Sequence, residues 1–257
     1  MSDLQGSFIW YELMTSDTKA AETFYKAVMG WDAADSGMPG IDGYTLFSAG
    51  EFRVAGLMTL SEEAKARGAC PGWLGYIAVD DVDAATEALT KAGGKVMRAP
   101  DDIPGVGRFA VVADLHGAVF GLFKGMGEAP PMPPMNTPGI IAWRELNAGD
   151  GPSAFTFYSD LFGWRKGEAM DMGPMGVYQI YGKGDVDFGG IMTKSADIPM
   201  PFWLYYVNVA NIEAAGARIT ANGGQVLNGP MEVPGSMWII QGKDPQGAMF
   251  AVVGPKA

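Results

Sequence analysis

The chain has 257 residues, enough for two domains that each bury a core of their own. With 48% hydrophobic and 18% charged residues, its composition is that of a globular protein and excludes extended disorder. The formal net charge is -11, without a basic stripe. Nucleic acid and anionic membranes are therefore excluded as expected partners, because binding their phosphate groups requires clustered Lys and Arg side chains.

The rare residues limit the location and the metal chemistry of the protein. One cysteine, Cys70, excludes an intrachain disulfide and fits a reducing compartment. No apolar run of about 18 residues and no signal-peptide pattern is present, so a cytoplasmic protein is predicted. The single histidine excludes metal sites that need two or three imidazoles. A site of carboxylates and carbonyls, which would favour Mg²⁺ or Ca²⁺, stays open.

In chain order, the first module begins with a strand and a helix. The alternation over Phe8–Leu13 predicts a strand. Asp17 is the predicted N-cap of a helix whose apolar residues recur at helical spacing until Gly30 ends it. Three strands separated by Gly and Pro clusters are then predicted around Trp31–Ala33, Tyr44–Ser48 and Val54–Leu60.

A second module of the same kind follows. Trp73–Val79 predicts a strand, and Asp80 or Asp81 caps a helix that runs to about Lys91. Its three later strands are predicted near Lys95–Arg98, Arg108–Ala113 and Val119–Phe123. Each half of the chain therefore reads as βαβββ twice.

The whole pattern then recurs. Trp10 matches Trp143 and Glu12 matches Glu145, each 133 positions later, within an ungapped match of more than twenty residues. This match indicates a tandem duplication, so every candidate site must be considered in both copies. The predicted fold class is α+β, with two tandem domains that each contain a pair of βαβββ modules. The predicted domains are residues 1–124 and 140–257, joined by an extended Pro-rich linker at 125–139.

Three features resemble one known family. They are the paired βαβββ modules, the Phe-Tyr … Gly-Trp signature that ends the first helix, and the Asp-x-x-Gly turn that begins at Asp114. They resemble the vicinal oxygen chelate superfamily, which includes glyoxalase I, the extradiol dioxygenases and the bleomycin-resistance proteins. The resemblance implies sheets that curl around a cleft, in a monomer with an intrachain pseudo-dimer or in a homodimer. It leaves the activity open, since this scaffold hosts lyases, dioxygenases and pure binders.

The resemblance also implies where metal ligands would stand. Family members with a metal place ligands on the first strand, on the fifth strand and after the Asp-x-x-Gly turn. These points fall on Trp10, Leu74 and Gly121 in the first copy and on Trp143, Leu204 and Ala251 in the second. The fourth point, a carboxylate around Gly56–Thr59 or Gly190–Thr193, is missing as well. The sequence therefore predicts a lost metal site in both halves and no cofactor.

Alternation along the strands predicts which other residues share the face of the ligand points. Glu12 and Glu145 follow Trp10 and Trp143 by two positions, and Tyr76 and Tyr206 follow Leu74 and Leu204. An aromatic cavity with a few polar groups is typical of a small-molecule site. Each glutamate could be a desolvated general acid or base with a raised pKa. Alternatively, each is hydrogen-bonded and serves the scaffold.

Other residues indicate that the two halves differ in use. Arg108 of the first copy stands where the second has Trp238. Arg108 could bind an anionic group, or it could be a surface arginine. We expect the second pocket to be smaller or more hydrophobic. His116 is expected to be exposed at the tip of its turn.

Two functions remain open at this point. The first is a metal-independent protein that binds an aromatic or antibiotic-like compound, in the way that bleomycin-resistance proteins act. The second is an enzyme that uses Glu12 or Glu145, either a hydroxylase of antibiotic-type metabolism or a glyoxalase I-like lyase. The loss of the metal ligands favours the binding function.

Overall fold

The computed structural model describes residues 4–38, 42–127 and 133–256. Residues 128–132 of the predicted linker lie outside the described residues. The first half contains β1 (Phe8–Thr15), α1 (Thr18–Met29), β2 (Asp32–Asp35), β3 (Thr45–Ala49), β4 (Phe52–Thr59), α2 (Glu62–Ala66), β5 (Gly72–Ala78), α3 (Val82–Lys91), β6 (Lys95–Ile103), β7 (Gly107–Ala113) and β8 (Val119–Gly125).

The second half repeats this order. It contains β9 (Ile141–Ala148), α4 (Gly151–Phe162), β10 (Arg165–Asp171), a 3₁₀ turn (Gly173–Met175), β11 (Val177–Lys183), β12 (Val186–Thr193), β13 (Phe202–Asn208), α5 (Ile212–Ala221), β14 (Gln225–Val233), β15 (Met237–Lys243) and β16 (Met249–Gly254). The βαβββ predictions are confirmed in all four modules. Among the described residues, no helix is long and apolar enough to cross a membrane.

Local side-chain chemistry sets the ends of the helices. Asp17 accepts the Ala20 amide at 3.0 Å and begins α1, and Asp150 accepts the Ser153 amide at 3.0 Å and begins α4. Gly30 ends α1 with φ 74°, in the left-handed region that glycine adopts without a steric penalty. The helix α2 was not predicted, because its five residues are too few to show an apolar period.

Each half forms one eight-stranded sheet. The strand order is β2-β3-β4-β1-β5-β8-β7-β6 in the first and β10-β11-β12-β9-β13-β16-β15-β14 in the second. Within each module the first strand pairs in parallel with the last, as β1 does with β4 and β5 with β8. The α+β prediction of two tandem domains built from paired βαβββ modules is confirmed.

By compactness the chain divides into two units, and each contains segments of both halves. Unit 1 comprises Met1–Trp10, Leu74–Pro131 and Trp143–Trp203. Unit 2 comprises Tyr11–Trp73, Met132–Ala142 and Leu204–Ala257.

The core of unit 2 is built around the signature tyrosine of α1. Tyr25 is fully buried, and its hydroxyl donates to Asp244 Oδ2 at 3.2 Å and accepts from Trp73 Nε1 at 2.9 Å. Burial, followed by the charge of Asp244, holds the pKa of Tyr25 well above its usual value. Burial also raises the pKa of Asp244. The Phe-Tyr signature of one half is thus bonded to the Asp-x-x-Gly turn of the other.

Unit 1 contains the same arrangement with the halves exchanged. Tyr158 of α4 donates to Asp114 Oδ2 at 3.2 Å and accepts from Trp203 Nε1 at 3.1 Å. Trp164 stacks on Tyr158, with ring centroids 5.1 Å apart and an interplanar angle of 9°. The tyrosine of the Phe-Tyr signature and the aspartate of the Asp-x-x-Gly turn therefore have a structural role in both units.

Candidate functional site

The most polar buried group among the predicted site residues lies on β9 of unit 1. Glu145 is only 8% exposed. Its carboxylate accepts from Tyr178 at 3.1 Å and from the Asn147 side chain at 3.2 Å. The indole of Trp143 donates in turn to the Tyr178 hydroxyl at 2.7 Å. We call these residues, with Gly190, the Glu145 cluster.

The tyrosine of this cluster is held as a hydrogen-bond donor. Burial is the main cause of a Tyr178 pKa well above the usual value, and the nearby charge of Glu145 raises it further. The hydrogen bond from Trp143 acts in the opposite direction. Tyr178 therefore stays protonated and presents its hydrogen to the carboxylate over the physiological pH range.

A glycine makes room for the tyrosine. A Cβ built on Gly190 would lie 2.0 Å from Cζ of Tyr178, so no larger residue fits there while the ring keeps its place. Gly190 is paired with Glu145 in the register of β12 with β9. The ring thus lies over the strand position where the family resemblance implies a ligand carboxylate.

Unit 2 contains the matching cluster of the first repeat. Tyr44 donates to Glu12 Oε1 at 2.8 Å, and Gly56 is paired with Glu12 in the sheet. A Cβ on Gly56 would lie 2.0 Å from the Tyr44 hydroxyl. Glu12 is only half-buried, in contrast to Glu145.

Sequence reasoning missed both tyrosines, although the repeat contained the signal. Tyr44 and Tyr178 are 134 positions apart, as are Gly56 and Gly190. A duplicated tyrosine and a duplicated glycine beside a duplicated glutamate indicate one shared arrangement. Their contact could not be derived from spacing alone, since Tyr178 follows Glu145 by 33 residues.

Two further predicted residues, Tyr76 and Tyr206, are paired in the sheets with Gly121 and Ala251, the third ligand point of each copy. Tyr76 is 6% exposed and packs edge-on against Phe123, with ring centroids 6.3 Å apart. A Cβ on Gly121 would lie 2.1 Å from the Tyr76 ring. In unit 2, Tyr206 is paired with Ala251, and its hydroxyl accepts from Gln241 Nε2 at 2.6 Å.

The residues at the ligand points do not fit a divalent metal. Leucine, glycine and alanine offer no side-chain donor, and an indole nitrogen is not a metal ligand under physiological conditions. The Tyr76 ring also covers Gly121. Within residues 4–38, 42–127 and 133–256, no three His, Cys, Asp or Glu side chains are grouped as a metal site would require.

The structure gives Arg108 and Trp238 different surroundings. Arg108 bonds Asp83 at 2.7 Å and Asp102 at 3.0 Å on the exposed side of β7. These carboxylates raise its pKa above the ordinary arginine value. Trp238 is half-buried, and the Lys256 ammonium lies 4.6 Å from the centre of its ring. Neither contact involves a residue of the two glutamate clusters.

The expectation that His116 is exposed was wrong. The residue is half-buried, its Nδ1 is buried without a hydrogen-bond partner, and its Nε2 lies 3.3 Å from Ser153 Oγ. Gly149 explains this packing, because a Cβ there would lie 2.8 Å from Cβ of His116. With no carboxylate on Nδ1, His116 lacks the orientation of a catalytic-triad base.

A small cavity of unit 2 lies beside Tyr25. Its volume is about 10 Å³, which is room for one water molecule and not for an organic ligand. The residues that line it are Tyr25, Met29, Trp73, Ile141, Tyr205, Val207 and Phe250.

Two relatives of known name match almost the whole length of the chain. The chain is 33% identical over 256 residues to CFP32 of Mycobacterium tuberculosis, which is provisionally named a glyoxylase. The match covers 98% of the chain and 95% of the relative. It is 32% identical to the anthracycline biosynthesis protein DnrV of Streptomyces peucetius, with 96% of the chain and 93% of the relative covered.

Solved structures share the fold at lower identity. The Mn(II)-bound glyoxalase of Novosphingobium aromaticivorans matches 97% of the chain and 82% of its own, with a TM-score of 0.66 and 16% identity. Homoprotocatechuate 2,3-dioxygenase of Brevibacterium fuscum matches 97% of the chain and 80% of its own, with a TM-score of 0.67 and 15% identity. The model of the Glyoxalase/Bleomycin resistance protein/Dioxygenase superfamily matches residues 7–122 and again 140–252. The chain therefore belongs to this superfamily, the vicinal oxygen chelate superfamily of the sequence resemblance, and contains its domain twice.

Proposed function

We propose that the protein binds a small aromatic or antibiotic-like molecule without a metal ion. The observation that carries this proposal is the Glu145 cluster. There, the Tyr178 ring covers Gly190, where a ligand carboxylate would be expected, and its hydroxyl donates to the buried carboxylate of Glu145. Members of the superfamily bind small-molecule substrates, and the name of one relative points to polycyclic aromatic compounds.

The cluster offers both an acceptor and a donor to such a molecule. A carboxylate has about four acceptor positions, so a ligand hydroxyl could join or replace the donors that Glu145 already has. The Tyr178 hydroxyl could turn toward a ligand carbonyl, since it is held protonated by burial. Trp143 adds a flat surface on which an aromatic ring can stack.

Calorimetric titration with a dihydroxyanthraquinone tests this function. We expect wild-type protein to bind it equally before and after treatment with a chelator. E145Q removes the charge at constant shape and should weaken binding at least tenfold, roughly the loss of one charged hydrogen bond. E12Q is the matched control in the other repeat. Binding that disappears with the chelator, or about one equivalent of Zn, Ni or Fe per domain, would overturn metal independence.

An enzyme is the second candidate, and the near burial of Glu145 favours it. A buried carboxylate beside a bound substrate is placed to remove a proton from it. In a glyoxalase-like reaction of a hemithioacetal, Glu145 would accept the proton of the C–H bond beside the carbonyl and return it to the carbonyl carbon. The hydroxyl proton of the first carbon would pass to the carbonyl oxygen, so that the first carbon becomes the new carbonyl. A hydroxylase would in addition require an oxygen donor. Turnover of hemithioacetals or aromatic polyketides by wild type, abolished in E145Q and kept in E12Q, would establish this candidate over simple binding.

A further inference from the structure

Asn147 gives the Glu145 cluster an acceptor that the cluster itself does not use. The residue is 7% exposed and follows Glu145 by two positions on β9, so both side chains point to the same face of the sheet. An ionised carboxylate only accepts hydrogen bonds, so the amide turns Nδ2 toward Glu145 Oε1, which lies 3.2 Å away. The amide oxygen, Oδ1, therefore points away from that carboxylate oxygen.

Oδ1 of Asn147 is open to a ligand. Among residues 4–38, 42–127 and 133–256, none donates a hydrogen bond to it. The fully enclosed side-chain polar atoms without a partner in these ranges are Thr15 Oγ1, His116 Nδ1 and Gln246 Oε1, so Oδ1 of Asn147 keeps a path to solvent. Polar groups of buried side chains are normally hydrogen-bonded. This exception indicates a position that a bound donor completes.

The donors of the cluster are turned inward. The Trp143 indole donates to the Tyr178 hydroxyl at 2.7 Å, and that hydroxyl donates to Glu145 Oε2 at 3.1 Å. Each of these two groups has a single hydrogen, so a ligand acceptor could gain one only by taking it from the cluster. The cluster therefore presents mainly acceptors to a ligand, namely Oδ1 of Asn147 and the lone pairs of a negative carboxylate.

One donor atom can reach both acceptors. The oxygen and the nitrogen of a planar amide are about 2.2 Å apart. Since Nδ2 of Asn147 lies 3.2 Å from Glu145 Oε1, Oδ1 is at most about 5.4 Å from that carboxylate oxygen. A nitrogen about 2.9 Å from each oxygen can bridge them. A hydroxyl has one hydrogen and serves one of the two acceptors, whereas a primary ammonium group has three hydrogens and no lone pair.

The surroundings of the two acceptors suit an aromatic cation. Met192 is paired with Asn147 in the register of β12 with β9, so a methionine flanks the acceptors on the same face. Trp143 precedes Glu145 by two positions on this face, and it is half-buried, which leaves part of its ring accessible. Aromatic faces and carboxylates both attract an ammonium group. Arg144 alternates to the opposite face of β9.

We infer that the Glu145 site takes a primary ammonium group of an aromatic or antibiotic-like molecule and holds it between Glu145 and Oδ1 of Asn147. This inference rests on the proposed function and adds the ligand group and the residue that selects it. The first repeat has Met14 in place of Asn147, so its cluster lacks the second acceptor. The net charge of -11 favours the approach of a cation over that of a carboxylate ligand.

Three probes on one ring system test the inference with the full chain. They are anthraquinones that carry a 2-aminomethyl, a 2-(trimethylammonio)methyl or a 2-hydroxymethyl group. The first has a charge and N–H donors, the second has the charge alone, and the third has a neutral donor. In calorimetric titration at about pH 7, wild type should bind the first probe at least tenfold more tightly than the other two, roughly the contribution of one charged hydrogen bond.

The variant N147M separates the two acceptors of the site. It installs the residue of the first repeat, removes Oδ1 and leaves Glu145 in place. Affinity for the aminomethyl probe should fall about tenfold, and affinity for the trimethylammonio probe should change less than about twofold. M14L, at the matching position of the first repeat, is the control and should change neither affinity.

The failure of this inference is distinguishable from failure of the proposed function. Equal binding of the aminomethyl and hydroxymethyl probes by wild type would refute the ammonium site and leave the proposed function standing. Equal weakening of both cationic probes in N147M would also refute it, because Asn147 would then act only on Glu145. The wild-type ranking of the three probes needs no variant, so it decides the inference even if N147M does not fold. A wild-type protein that binds neither these probes nor a dihydroxyanthraquinone would refute the proposed function as well.

Discussion

Replacing Tyr25 with phenylalanine should destabilise the protein in a way that depends on pH. The substitution removes only the hydroxyl, which lies between Trp73 Nε1 and Asp244 Oδ2 in the core of unit 2. The ring and its packing are kept. Any loss of stability in Y25F therefore measures the hydrogen bonds of this hydroxyl rather than a cavity.

The size of the effect follows from the two partners. Asp244 is only 4% exposed, so its carboxylate oxygen would lose a donor that water replaces poorly. A hydrogen bond to a charged group contributes about 1.5–3 kcal/mol. Trp73 is half-buried, so water can accept from its indole and little is lost there. We expect a loss of about 2 kcal/mol, or roughly 4–8 °C in the melting midpoint for a chain of this size.

The pH dependence follows from the raised pKa of Asp244, which is caused mainly by burial. A carboxyl group whose folded pKa lies above its unfolded value contributes stability that is fully present below the unfolded pKa. This contribution is lost as the pH rises through the folded pKa. The hydrogen bond from Tyr25 lowers the folded pKa, so Y25F raises it further. The loss in Y25F should therefore be larger near pH 7 than near pH 4.

Urea unfolding at about pH 4 and pH 7, followed by tryptophan fluorescence, measures both effects. D244N in the wild-type and Y25F backgrounds completes a double-mutant cycle and should remove the pH dependence. Y206F is the control, because Tyr206 is buried in the same unit and its hydroxyl meets the neutral Gln241. Equal losses in Y25F at both pH values, or a loss below about 0.5 kcal/mol, would refute the assignment of the charged bond.

Three further substitutions have defined outcomes. G190A should displace the Tyr178 ring, destabilise the protein by about 1–3 kcal/mol and change the fluorescence of Trp143. G72A is the control and should leave both stability and fluorescence unchanged, because the nearest atom to a Cβ on Gly72 would be 3.8 Å away. D81A should cost about 1 kcal/mol in thermal unfolding because the Asp81 side chain caps α3 at the Ala84 amide, and D81N should retain most of that stability. G30A should cost about 1–2 kcal/mol in urea unfolding because φ of Gly30 is 74°, and a loss no larger than that of G72A would contradict this reading.

The local elements could be predicted from sequence, because their causes are local. Asp17 and Gly30 fix both ends of α1 through bonds within four residues, so the pattern of the chain was sufficient. The Tyr25 and Asp244 contact joins residues 219 positions apart, and no spacing in the sequence indicates it. The same limit explains His116, whose burial depends on the absence of a side chain at Gly149.

The candidate site was predicted in part. Glu12 and Glu145 were identified because the repeat and the alternation of the strands single them out. Hydrogen bonding of each carboxylate was one of the two alternatives considered for them, and the structure contains such bonds from Tyr44 and Tyr178, which were not predicted. Whether Glu145 also contacts a ligand stays a prediction, because a buried hydrogen-bonded carboxylate serves a scaffold and a site equally well.

The differences between the repeats carry more functional information than their similarities. Glutamate, tyrosine and glycine occur in both clusters, so their arrangement meets a need that both domains share. Asn147, by contrast, stands where the first repeat has Met14, and it gives the Glu145 carboxylate a second donor. The charge of Glu145 is more deeply buried than that of Glu12, and a second donor stabilises it. Packing alone does not require this donor, because Met14 fills the matching position in the first repeat. The second repeat is therefore the one in which we expect the carboxylate to meet a ligand, whereas the first retains the scaffold of the same site.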